Sequence, residues 1–434
     1  MDRKLCDGQS RRDLIRLGAA GLFGFQWPLA RLLAAKNSEC NLIFLFLHGG
    51  MSTIDTFDLK PDAPAEYRGE FKPAATNVPG IQISEHLPIL ARQMDQFSLI
   101  RSFRHHNSDH GPADHYMVTG YFPQAGFNGG IIPNNQRPCF GSMVAGKLGP
   151  RGAVPPFVCL PKMHASFGSA FLGPANSPFI VDADPNAPLF EVPDLEPPME
   201  IRADRLENRK SLMGKIDRFR KRGEVRANPA AGGVAAYQDK AFELMTSLAT
   251  RAAFNLSAEK DSLRDEYGRN TLGQSCLLAR RLVEKGVRCV MVDHSNWDTH
   301  DKNFQTLKRE LLPAFDKGVA ALFRDLKARG LLDNTLVVMT GEFGRTPKIN
   351  ANAGRDHWGP GFTVALGGGG IKGGIALGKT DAKGERPAAD PYGPEDLAAT
   401  ICHCVGINPN DEWIMPDGRP TMIVNQGRKI EELL

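Results

Sequence analysis

At 434 residues, 41% hydrophobic and 24% charged, the chain has the composition of a folded globular protein, neither disordered nor repetitive. Lysine and arginine (53) nearly balance aspartate and glutamate (49), and six of those bases with three of those acids fall in the first 35 residues. The rest carries no basic stripe of the kind nucleic acids need, and eight cysteines with no Cys-x-x-Cys argue against both a disulfide scaffold and a thiolate zinc site.

The amino terminus reads Gln9-Ser10-Arg11-Arg12-Asp13-Leu14-Ile15-Arg16, followed by a Gly/Ala-rich apolar stretch and small residues at Ala34-Ala35. A basic region, an apolar run and small residues form the layout of an export signal, and the paired arginines resemble the twin-arginine type. Residues 1–35 are therefore expected to be a twin-arginine signal, and the protein periplasmic or otherwise exported. Gln26, Pro28 and Arg31 interrupt the apolar stretch, so no stable membrane span is expected.

Residues 36–434 are expected to form a single domain. Asn41 to Leu47 is a continuous apolar run, as in a strand buried on both faces of a parallel sheet, and it stops at His48-Gly49-Gly50. Shorter apolar runs follow at Phe97–Ile100 and Pro156–Leu160 within a Pro/Gly-rich stretch. Near residues 200–232 the chain becomes highly charged with helical spacing, which predicts an inserted, solvent-facing helical arm. Beyond it, Leu272, Cys276, Ala279 and Leu282 recur at helical spacing, Gly286 ends the helix, and Val287–Val292 reads as a strand. A second helix is predicted from Phe304 to Leu326, then strands over Thr335–Thr340 and Phe362–Leu366. Alternation of this kind predicts an α/β fold, with a mostly parallel central sheet and helices on both faces.

In such sheets ligands sit beyond the carboxyl ends of the strands, which selects the residues that follow each run. They are His48, then Asp293, His294, Asp298 and His300, then Glu342 with Arg345, and a loop later His357. Mixed carboxylate and imidazole donors suit zinc, manganese or iron. Each has a plainer reading: Asp298 as a helix cap, Glu342 as an ion-pair partner of Arg345, His357 as a hydrogen-bonded histidine. Asp55 and Asp58 read as turn residues. Among His105, His106, His110 and His115, the spacing of His110 and His115 puts them on different faces of one helix.

Phe315 to Leu326 with Leu331 to Thr340 resembles the segment preceding the Asp-His metal motif of the alkaline phosphatase/sulfatase superfamily. Pro112 to Pro123, with Thr119-Gly120, is similar to the helix of sulfatases that follows their nucleophile. More closely, the chain from about residue 40 onward resembles domain-of-unknown-function family 1501. The resemblance is carried by Phe46-Leu47-His48-Gly49-Gly50, Asp55–Pro61, Arg68–Phe71, Tyr267-Gly268, Leu278–Glu284, Trp297–His300, Gly341–Pro347 and Gly354–Trp358. It implies an alkaline-phosphatase-like fold. Against the superfamily pattern, His48 stands where a metal-binding aspartate is usual, His110 where the nucleophile is usual, and Glu342-Phe343 where an Asp-His pair is usual.

The resemblance, with the strand-end residues, implies a metal-dependent hydrolase of phosphate or sulfate esters holding one or two divalent ions, zinc or manganese. Asp298, His300 and His357 are expected to bind metal, with Glu342 and His48 completing that site or adding a second. Arg345 is expected to clamp the anionic group, and His110 to transfer protons or ligate. The expected substrate is a small anionic ester or a sulfated or phosphorylated glycan. The alternative is a catalytically degenerate binding or partner protein on the same fold, with an exported cytochrome-like protein as its implied partner.

Overall fold

β1 (Asn41–Leu47) is apolar because both of its faces are covered: Ile43, Leu45 and Leu47 enter one core, and Leu42, Phe44 and Phe46 the other. The computed structural model describes residues 40–130, 133–192, 195 and 247–434. The expected signal at 1–35 and charged arm at 200–232 lie outside them. In chain order the further strands of the sheet are β2 (Phe97–Phe103), β3 (Phe157–Leu160), β4 (Phe179–Ile180), β5 (Cys289–His294), β6 (Thr335–Thr340), β7 (Phe362–Gly367) and β8 (Ala376–Leu377). The eight strands lie in the order β8-β2-β7-β6-β1-β5-β3-β4.

β1 runs parallel to β5 and β6, β3 parallel to β5 and β4, and β8 parallel to β2. β7 is the reversed strand, antiparallel to both β6 and β2. The reason is local. No crossover helix separates β6 from β7, and a parallel neighbour would need one. The chain leaves β6 at the carboxyl edge, makes an excursion over residues 341–361, and re-enters the sheet from that same edge.

The helices that cover the sheet are α1 (His110–Thr119), α2 (Phe140–Leu148), α3 (Thr271–Glu284), α4 (Leu312–Ala328) and α5 (Pro394–Val405). α3 and α4 line one core with the periodic residues read from the sequence, among them Leu272, Cys276, Phe315, Val319 and Leu322. α2 and α5 line the other through Phe140, Met143, Leu397 and Ile401. Asn270 caps α3 by accepting the Gly273 N–H at 2.9 Å. At its far end Val287 donates back to Leu282 at 3.0 Å, so its backbone closes the helix and β5 begins only at Cys289. Cys139, Cys159, Cys276, Cys289, Cys402 and Cys404 are free thiols, and all of them are buried, as is Cys40. No helix among the described residues is long and apolar enough to cross a membrane.

Candidate metal centre

The carboxyl edge of the sheet delivers the polar groups. His48 follows β1, Asp293 lies in β5 with Asp298 and His300 in the loop beyond, and Glu342 stands two residues past β6. His164 follows β3, His110 opens α1, and His357 sits in a short hairpin that pairs His357–Trp358 with Gly344–Arg345. The turn after β1 passes so close to the 297–298 backbone that a Cβ on Gly49 would lie 2.3 Å from the Asp298 nitrogen, and Gly49 has φ +108°.

Three acceptors meet at one point. His357 Nε2 lies 3.0 Å from Asp298 Oδ1, His300 Nε2 3.1 Å from the same oxygen, and the two Nε2 atoms 2.9 Å apart. The opposite nitrogen of each ring is committed: His300 Nδ1 donates to Asp356 Oδ1 at 2.6 Å, and His357 Nδ1 donates to the Ser108 carbonyl at 2.8 Å. The bare Nε2 lone pairs therefore point at a carboxylate and at each other. Imidazoles tied off at Nδ1 by a carboxylate and a carbonyl are oriented as metal ligands are. The Asp298 carboxyl is pushed up by burial, but hydrogen bonds from His110 and Arg345 and the charge of Arg345 outweigh this and hold it far below the usual carboxylate range.

His110 stands between this group and a deeper one. Its Nε2 lies 3.3 Å from Asp298 Oδ2 and its Nδ1 2.7 Å from Glu342 Oε1. Only an imidazolium can donate at both nitrogens. The hydrogen bond to Asp298, then the one to Glu342, raises His110 to about 9 against the opposing effect of burial. Glu342 is fully buried and also accepts the Gly49 N–H at 2.9 Å. His48, His110, Asp114 and Glu342 bring ligand atoms within 4.8 Å of one another, as do His110, Asp298 and His357.

Arg345, expected to clamp the anionic group, is placed against Asp298. Its side chain is buried, and its N–H groups donate to the Gly49 and Gly50 carbonyls, to the Arg355 carbonyl at 3.1 Å and to Asp298 Oδ1. Four of its five N–H donors are spent within the protein in this way. Arg345 braces the turn after β1 against Asp298. The plainer readings are likewise replaced: Lys302, not Asp298, holds the cap position of the next helical turn, and Glu342 pairs with His110 rather than Arg345. Asp55, read as a turn residue, is buried in a two-bond ion pair with Arg355 at 2.8 and 2.9 Å. His115 is satisfied away from the site, between the Tyr121 carbonyl and the Arg137 N–H.

A cleft of about 560 Å³ opens over these groups, lined by His48, His110, Asp114, His164, Ser295 and Asp298 among others. Sequence reasoning places Asp293 at the strand end, but misses His164. Its one signal is position past the apolar run that becomes β3.

Fold and site together define the class: an α/β protein whose imidazoles and carboxylates gather at the carboxyl rim of a mostly parallel sheet. Within that class, the chain belongs to the family described as "Protein of unknown function (DUF1501)", whose model matches residues 39–434. No curated protein matches the sequence. Among solved structures it is similar to a phosphonate monoester hydrolase from Silicibacter pomeroyi, at 11% identity over 90% of this chain and 76% of that one, with a TM-score of 0.41. It is also similar to a lipoteichoic acid synthase from Listeria monocytogenes (12%, 87% and 74%, 0.38) and to a sulfatase from Pseudoalteromonas sp. (13%, 87% and 70%, 0.37).

Proposed function

We propose that this chain is an exported, metal-dependent hydrolase of phosphate or sulfate esters, with zinc or manganese held by Asp298, His300 and His357. The observation that carries the proposal is the meeting of two bare Nε2 atoms and one carboxylate oxygen within 3.1 Å, each ring tied off at Nδ1. In the protein alone these acceptors oppose one another, and a divalent cation turns that opposition into ligation. The donor set, nitrogen and oxygen without sulfur, fits zinc or manganese.

A bound cation supplies Lewis acidity toward the ester's oxygens and toward water. The remaining work falls to the chain. His110 holds a proton at Nε2 on the cleft side, anchored from behind by Glu342, and is placed to protonate the leaving oxygen of an ester. Arg345 fixes Asp298 from the side opposite the cleft and so sets the direction of its carboxylate. The polar cleft around Ser295 and Asn296 accommodates the alcohol part of a small ester or of a sulfated or phosphorylated glycan. Purified full chain should contain zinc or manganese and hydrolyse members of a phosphate- and sulfate-ester panel. His300→Ala and His357→Ala should lose both metal and turnover; a metal-free protein with no turnover would remove the reading.

A second reading, a degenerate binding or partner protein, is favoured by the residue that heads α1, an imidazole where a hydroxyl or thiol would attack. A cytochrome-like partner recovered from periplasm, together with no turnover on the panel, would support it. Turnover that depends on His300 would count against it.

A further inference from the structure

We infer that the chain carries a second ligand site, a cleft that takes a singly charged carboxylate with a short apolar body, seated on Arg251. The inference goes beyond the hydrolase reading and does not rest on it. The cleft, about 350 Å³, shares no lining residue with the one over the candidate metal centre.

Its position follows from the short helix Leu248–Phe254, where the Ser247 hydroxyl accepts the Thr250 N–H at 3.1 Å. The Thr250 hydroxyl donates to the Ala153 carbonyl at 2.7 Å, a few residues before β3 begins. That contact puts the helix toward the amino ends of the parallel strands, away from the rim that gathers the imidazoles. At its far end the Ala252 and Ala253 carbonyls accept from Arg281 at 2.7 and 3.2 Å. Both ends of the helix are therefore tied down, and the stem of Arg251 starts from a fixed place.

Arg251 is the group these contacts leave out. Its Nε is buried and has no hydrogen-bond partner among the described residues. The next acid along the chain, Glu259, is committed to Arg280 and Arg281, and Arg281 also holds the carbonyls that follow Arg251. A buried N–H without a partner is a standing cost that a ligand acceptor removes.

The walls say what kind of acceptor fits. Phe190, Val192, Leu195 and Phe254 line the cleft, and the last three belong to the core that α3 and α4 build. Asn255 and Ser257, bonded to each other at 2.6 Å, give it a polar rim. The planar guanidinium fork matches the two oxygens of a carboxylate, and need only turn about its stem to present the Nε edge. The apolar walls take the hydrocarbon body that such a head carries. Glu191 lines the same cleft and opposes a second negative charge, which favours a monoanion over a phosphate dianion.

The test is isothermal titration calorimetry of octanoate into purified full chain. One equivalent should bind, and Arg251→Gln should weaken it by roughly 10- to 100-fold. 1-Octanol, alike in body but uncharged, should bind wild type as weakly as octanoate binds the variant. Glu191→Gln should strengthen octyl phosphate more than octanoate, a change that a purely structural arginine would not produce. Three results overturn the site: no octanoate binding, equal affinity for octanoate and octanol, or binding that survives Arg251→Gln but vanishes in His300→Ala with His357→Ala. The octanol comparison needs no variant, so a misfolded Arg251→Gln leaves the question decidable. None of these readings involves metal or turnover, so failure of the hydrolase reading would show separately.

Discussion

Asp356 lines no part of the cleft, yet it fixes which nitrogen His300 presents. Its Oδ1 accepts His300 Nδ1–H at 2.6 Å, and that hydrogen bond draws the Asp356 carboxyl below its ordinary value. Asp356→Ala should therefore weaken metal binding by roughly 10- to 100-fold while leaving the fold intact, measured by competition with a chromophoric chelator. Unchanged affinity would mean that His300 is not a ligand. His115 supplies a prediction of a different kind. Burial, aided by the nearby Arg137 charge, lowers its pKa to about 4 against a backbone hydrogen bond that works the other way. A folded-state value below the unfolded 6.5 means that the unfolded chain binds the extra proton first, so the contribution is complete above about pH 6.5 and lost as pH falls toward 4. Unfolding free energies from urea titrations at pH 7 and 4.5 should differ by less in His115→Gln than in wild type, by on the order of 2 kcal/mol. At this scale the sequence reveals residues that follow long apolar runs, which is why His48, Asp298, His300 and Glu342 are visible. His164 follows a four-residue strand in a Pro/Gly-rich stretch, where position alone singles out nothing.

The excursion between β6 and β7 is held down by an element-to-element clasp. Asp55, just past β1, grips Arg355 through two buried hydrogen bonds and also accepts from Ser52 and Asn303. Removing one partner leaves a buried charge alone, so Asp55→Ala should destabilise the protein by about 3–5 kcal/mol in denaturant unfolding. Gly354 sits beside the clasp, where a Cβ would fall 1.8 Å from the His300 carbonyl. Gly354→Ala should thus displace the His300 loop and lower metal affinity as well as stability. A variant with normal metal binding would show that the two loops move independently. The clasp is illegible in the sequence because its partners are 300 residues apart and each looks locally like a turn. The helices, in contrast, could be read closely, since α3 and α4 announce themselves by periodic apolar residues and by Gly286 and Gly330 at their ends.

For the whole molecule, the site gathers chain from the ends of β1, β3, β5 and β6, from the head of α1 and from the excursion before β7. A cation held there joins segments far apart in sequence and favours the folded state by mass action. Chelation should lower the melting temperature, and the loss should shrink in His300→Ala, which has less to lose; equal melting with and without chelator would separate metal from fold stability. The architecture itself could be read from apolar runs and their spacing. The reversal of β7 could not, because a short apolar run has no direction until its connection is known. That reversal has a consequence for motion. β7 is flanked by β2 on one side and β6 on the other, so residues 341–361 leave and rejoin the sheet at two seams that are both stitched by backbone ladders. The span that carries His357 is built like a bridge with two abutments rather than a diving board, and whatever enters the cleft must do so past a fixed parapet instead of through a swinging door.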